Sequence, residues 1–253
     1  MFDFSPAAIM RYVLILPIIL LALSVHEASH GYIASKLGDP TAKSLGRLTL
    51  NPLKHLDVFG FLCMLFFHFG WAKPVPVNAR YFKKPRYGMA LTSAAGPVSN
   101  VLLAIIFAIL LRLELMIVNH FFYDELVASV TGGTASTAFN MLSVLCYMLY
   151  MGVLLNISLA VFNLIPIPPF DGSRIFYVFL PQKLYFYVMK YENIIMIVIL
   201  LALWFVPFFS SLISTATGGL SQMVLWLFGI KNGSDSILTL NIMLNHLATA
   251  LFA

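Results

Sequence analysis

The stretch YVLILPIILLALSVHEASHGYIAS, residues 12–35, decides how the rest of the chain is read. A helix needs roughly 20 apolar residues to cross a bilayer, and this run is long enough, with Pro17 tolerable inside a membrane helix. It also carries one acid, Glu27, and two imidazoles, His26 and His30, with no other charged side chain. Ionisable groups at membrane depth are costly, face a bundle interior or a wet cavity, and mark function by default. The first apolar run is therefore expected to stay in the membrane and not to serve as a cleaved leader.

The composition extends this reading to the whole chain. The 253 residues are 60% hydrophobic and only 10% charged, with a mean hydropathy of +0.92. Soluble domains carry about a quarter charged residues, so this chain cannot wet its own surface, and a polytopic membrane protein is predicted. The net charge of +5 does not point to nucleic acid, because the lysines and arginines lie in short loops beside apolar spans. Cys63 and Cys146 both sit in apolar runs, which argues against a disulfide framework or a cysteine metal cluster.

Four spans are expected, at about 12–35, 89–111, 139–165 and 193–213. Residues 58–70 (VFGFLCMLFFHFG) are apolar but too short to cross, which favours a re-entrant segment. Residues 220–230 and 237–253 are interfacial or a possible extra span. The basic residues Lys36, Lys43, Arg47 and Lys54 follow the first span, and Lys73, Arg80, Lys83, Lys84 and Arg86 precede the second. Both groups are drawn to the cytoplasm, which works only if 58–70 dips in and returns. Glu114, Asp124 and Glu125, in a stretch without lysine or arginine, read as an external loop, and Arg174, Lys183 and Lys190 read as internal.

On a helix, positions i and i+4 share one face with Cβ atoms roughly 5–6 Å apart, so His26 and His30 can reach one metal ion. Glu27 can reach a water on that metal, which is the helical H-E-x-x-H arrangement of zinc peptidases. A catalytic zinc wants a third protein ligand and one open position. FNLIPIPPFDGSR, residues 162–174, supplies the best remaining acid, Asp171, after prolines that forbid continued helix. Gly172 would let the chain turn sharply just beyond it.

H-E-x-x-H in an early span, followed by N-x-x-P-x-P-x-x-D-G near the end of a later one, resembles the site-2 protease family of intramembrane zinc metalloproteases. His26, Glu27, His30, Asn163, Pro166, Pro168, Asp171 and Gly172 stand in the matching places, and GWAKPVPVN (70–78) and SAAGPVSN (93–100) extend the likeness over roughly residues 12–180. The resemblance implies one zinc ion per chain on His26, His30 and Asp171, with Glu27 as catalytic base and Asn163 donating to the developing oxyanion. It is to a short form, without the PDZ or CBS domains of larger members. It implies a transmembrane protein as substrate, a location in the cell membrane, and an active site toward the cytoplasmic side.

The fold expected is an all-α polytopic membrane protein with about four to six transmembrane helices, a re-entrant segment and a short β-hairpin. It forms a single domain over 1–253, with its core at about 12–180 and C-terminal helices at about 185–253. In GWAKPVPVN the prolines remove donors from one strand edge, leaving the N–H groups of Lys73, Val75 and Val77 to capture an extended peptide. Ala94, Ala95, Gly96 and Ser99 permit close helix contact, and Asn100 could support a metal ligand. His55 and Asp57 read as interfacial; His68, His120 and His246 have no ligand partner in sequence. A membrane metal-ion or proton transporter, an inactive membrane scaffold, and a prenyl-protein-processing zinc peptidase with a later glutamate ligand are the alternatives. No internal repeat supports transport, and Asp171 has a motif around it that Glu114, Glu125 and Glu192 lack.

Overall fold

The computed structural model of the chain describes residues 5–60, 72–205 and 207–251. The described chain is helical: α1 Pro6–Lys36, α2 Thr41–Ser44, α3 Pro85–Phe121, α4 Tyr123–Thr131, α5 Thr137–Asn163, α6 Asp171–Phe176, α7 Gln182–Lys190, α8 Glu192–Phe205, α9 Pro207–Leu227 and α10 Asp235–Leu251. Short 3-10 turns occupy Pro52–Lys54, Ala79–Tyr81 and Tyr177–Phe179. Among the described residues three helices, α1, α3 and α5, are long and apolar enough to cross a membrane.

Within the expected fourth span at 193–213, residue 206 lies outside the described residues. α8 ends at Phe205 and α9 starts at Pro207. α9 is then interrupted by Ser210, Ser211, Ser214, Thr215 and Thr217, which lower its apolarity. α3 runs well past the expected boundary at 111, so Glu114 lies within a helix and is buried, not in an external loop. The re-entrant reading of 58–70 falls almost entirely outside the described residues. Among the described residues no strand forms; the expected hairpin is represented by one antiparallel bridge between Leu56 and Ala72.

The chain divides into two compact units. One comprises Met1–Ile19, Leu102–Ile157 and Gly218–Ala253, and its core contains Leu111, Leu115, Phe139, Leu240 and Met243. Within it α3 and α5 pack closely at Gly152, where an added Cβ would come within 2.6 Å of the Phe107 ring. On α3, Leu102, Ile106, Ile109, Leu110, Leu113 and Ile117 are left exposed. A contiguous apolar stripe of that kind is a liability in water and the normal surface of a helix in lipid.

The other unit comprises Leu20–Val101 and Ser158–Thr217 and holds every residue of the candidate site. Between α5 and α6 the chain folds back through Leu164–Phe170. The Ile167 N–H donates to the Ile165 carbonyl and the Phe170 N–H to the Ile167 carbonyl. The Phe162 and Phe170 rings meet edge to face at 4.4 Å, closing the turn. This reversal puts Asp171 at the first position of α6, where a carboxylate complements the helix dipole.

Candidate metal centre

His26 and His30 project from the same face of α1 with ring centroids 4.6 Å apart, edge to face. Asp171 arrives from α6 so that Oδ2 lies 3.1 Å from His26 Nε2 and 3.2 Å from His30 Nε2. The three donor atoms lie within 4.8 Å of one another. Both histidines are buried and Asp171 is half-buried.

The outer ring nitrogens explain why this cluster suits a cation. His30 Nδ1 is 2.7 Å from the Thr92 carbonyl oxygen, which can only accept, so Nδ1 carries the proton. His26 Nδ1 lies 2.6 Å from Asn100 Oδ1, while the Asn100 amide nitrogen donates to the Ala22 carbonyl. With Nδ1 protonated, each neutral imidazole turns an Nε2 lone pair toward the others and toward a carboxylate. Three acceptors converging in a buried space are stable only around a positive charge. Two ligands on one tetrahedral zinc, each at about 2.0–2.1 Å, lie roughly 3.3 Å apart. The spacings at Asp171 fit that, and the donor set His, His, Asp leaves a fourth position open.

α3 supplies the wall behind the imidazoles. A Cβ added at Gly96 would come within 2.5 Å of Cε1 of both His26 and His30. Only glycine lets the α3 backbone approach so closely, and the approach brings Thr92 and Asn100 into hydrogen-bonding range. Gly172 matters for a reason other than the one its sequence context suggests. It does not take a left-handed conformation; it is buried in α6, and a Cβ there would overlap the Leu164 and Ile165 carbonyls. Lack of a side chain, not backbone freedom, is what the fold uses.

Glu27 is half-buried, and its Oε2 accepts the Val75 N–H at 2.8 Å. The segment that contains Val75 is held at several points. The Lys73 N–H donates to the His55 carbonyl, and Arg47 donates to the carbonyls of Lys73 (2.7 Å) and Pro74 (3.3 Å). Asp39 accepts the Asn78 N–H at 2.7 Å. Burial would raise the Asp39 carboxyl, yet the Thr41 hydroxyl and the Asn78 and Thr41 N–H groups hold it below the usual range. The expectation that Lys73 and Val75 keep their N–H groups for a peptide is thus corrected: both are spent, one on backbone and one on Glu27. Arg47, expected only to help set orientation, is buried and structural. Asp39 and the Thr92 carbonyl had no signal in sequence.

Asn163, the last residue of α5, donates from Nδ2 to the Leu159 carbonyl at 2.9 Å. Among the described residues the other histidines stay out of the cluster. His55 is buried, with Nε2 2.7 Å from the Thr49 carbonyl oxygen, and His246 Nε2 is 2.7 Å from Asn140 Oδ1.

A family model described as peptidase family M50 matches residues 14–206. The chain belongs to peptidase family M50. Two relatives are named as metalloproteases. "Putative zinc metalloprotease YwhC" of Bacillus subtilis is 43% identical over 174 residues, covering 69% of this chain and 71% of the relative. "Putative zinc metalloprotease Rip2" of Mycolicibacterium smegmatis is 29% identical over 166 residues, covering 64% of this chain and 55% of the relative. No solved structure matches the chain significantly. The M50 match takes in α1 from residue 14 onward, the turn before Asp171 and α6, so the three metal-suited side chains all lie inside it. This M50 chain is a zinc metalloprotease with the apolar helices of a membrane protein.

Proposed function

We propose that this protein is an intramembrane zinc endopeptidase that hydrolyses peptide bonds within or beside transmembrane segments of other membrane proteins. The observation that carries the reading is the convergence of His26 Nε2, His30 Nε2 and Asp171 Oδ2, with Glu27 next in sequence to one ligand. His26, His30 and Asp171 hold one zinc ion. When bound, zinc supplies a Lewis acid and a water acidified to near neutrality.

The chain's own groups handle the rest. The Val75 N–H fixes one Glu27 oxygen, so Oε1 is the atom that takes a proton from the attacking water and returns it to the leaving amide nitrogen. Asn163 spends one of its two amide protons on Leu159 and has a second for a developing oxyanion. Asn100 and the Thr92 carbonyl hold both imidazoles in the tautomer that exposes Nε2. The residues work as a single domain over 1–253 in the cell membrane, with four to six crossings, α8 and α9 together supplying one. The basic residues between α1 and α3, and those that follow Asp171, support a site toward the cytoplasm.

Glu27→Gln tests the assignment. General acid–base groups contribute about 10²–10⁴-fold, so cleavage of a model transmembrane substrate in liposomes should fall by that much while bound zinc stays near one per chain. Loss of zinc in this variant, or undiminished cleavage, rejects Glu27 as the base.

A further inference from the structure

The segment that reaches Glu27, residues 72–78, has a buried charged anchor at each end. Arg47 is 9% exposed and spends Nη2 on the carbonyls of Lys73 (2.7 Å) and Pro74 (3.3 Å). Asp39 is buried and accepts the Asn78 N–H at 2.7 Å. Between these anchors Val75 is buried and gives its N–H to Glu27 Oε2 at 2.8 Å. α1 makes room for it at Gly31, one turn beyond Glu27. A Cβ added there would stand 2.8 Å from Leu48 Cδ2 and 3.1 Å from Val75 Cγ1.

The Pro74 carbonyl and the Val75 N–H belong to the same planar peptide unit, and that unit is trans. Its oxygen and its hydrogen therefore point in opposite directions, one to Arg47 and the other to Glu27. Rotating this peptide would break both contacts together. A cation at the oxygen and a carboxylate at the hydrogen also polarise the peptide in the same sense, so each contact strengthens the other.

Stability gives no account of the guanidinium. A charge taken out of water is costly unless it is paired. Arg47 has no acidic partner among the described residues, and its Nε is buried without a hydrogen-bond partner. The two carbonyls that it reaches belong to exposed residues, where water is an alternative partner. An apolar side chain of similar length would fill the space at no greater cost. What a planar, charged donor adds is direction, because it reaches two successive carbonyls from one side.

We propose that Arg47 is a positioning residue for Glu27. It fixes the Pro74–Val75 peptide so that the Val75 N–H holds Oε2 and leaves Oε1 to take the proton. The inference rests on the reading of Glu27 as the base.

The test compares Arg47→Met, Arg47→Lys and Glu27→Gln in the full chain. A misplacement on the order of 1 Å costs about 10²-fold, so Arg47→Met should lower kcat on a model transmembrane substrate in liposomes about 10–100-fold. KM, zinc per chain and the thermal midpoint should hold. Hydrogen exchange, resolved to single residues, supplies a readout that needs no catalysis. Arg47→Met should speed exchange of the Val75 amide about tenfold, while the Asn78 amide stays protected by Asp39. Arg47→Lys should lie between wild type and Arg47→Met in kcat and in Val75 exchange, because an ammonium lacks the planar reach to both carbonyls. It carries the test if Arg47→Met does not fold, and values equal to wild type in Arg47→Lys overturn the inference. Unchanged Val75 exchange in Arg47→Met overturns it whatever the activity, as does faster exchange with unchanged kcat. Loss of zinc, or a fall confined to KM, assigns Arg47 to folding or substrate binding and rejects positioning. Undiminished cleavage in Glu27→Gln is a separate failure, that of the base itself.

Discussion

The two halves of α3 are built to opposite rules. From Pro85 to Val101 the helix is rich in small and polar residues, with Thr92, Ser93, Gly96 and Asn100 all turned inward. From Leu102 to Phe121 it is dominated by leucine and isoleucine, many of them exposed. One half works by close approach: its backbone comes near enough to two imidazoles for a carbonyl and an amide to orient them. The other half works by apolar area: Leu111 and Leu115 fill a core, and the exposed leucines and isoleucines need only stay greasy. The same regular helix thus serves as a metal-site wall over one stretch and as a lipid-compatible surface over the other. Side-chain volume, not helix propensity, makes the difference.

Substitutions that add or remove atoms on the two halves should therefore differ sharply. The largest effect is expected at Gly96. Gly96→Val puts carbon where the imidazole Cε1 atoms sit, so zinc content measured by atomic absorption and cleavage activity should both fall to background. Full zinc occupancy in that variant would show that α3 can retreat and is no rigid wall.

Asn100→Ala should do less. It removes the side-chain partner of His26 while His30 keeps a backbone carbonyl that mutation cannot delete. Zinc affinity, from competition with a chelator, should drop about 10–100-fold. An unchanged affinity would mean that packing alone orients His26.

The smallest effect, and one of opposite sign, is expected in the apolar half. Glu114 is 4% exposed and neither carboxyl oxygen has a hydrogen-bond partner among the described residues. Replacing an unsatisfied buried polar group by an apolar one of similar shape is neutral or stabilising, by about 1 kcal/mol. Glu114→Leu should keep zinc and activity and hold or raise the thermal midpoint in detergent. A lower midpoint, or lost cleavage, would make the outer half of α3 more than lipid-facing surface.

The sequence by itself determined what depends on short windows of the chain. The apolar runs set the membrane class, because a span is read from about 20 consecutive residues. The i, i+4 spacing put His26 and His30 on one face, since helical geometry needs no partner to define it. Asp171 was legible through the motif around it. Only the tertiary structure decided what depends on residues far apart in the chain meeting in space. Glu27 accepts its hydrogen bond from Val75, 48 positions away, and His30 and His26 donate theirs to Thr92 and Asn100, 62 and 74 positions away. Gly172 is needed because the chain reverses onto Leu164, and the Arg86 guanidinium stacks on the Tyr185 ring because α3 and α7 bring them together. Periodicity fixes which face a side chain occupies; packing across folded elements fixes what it meets there, and no local pattern encodes that distance.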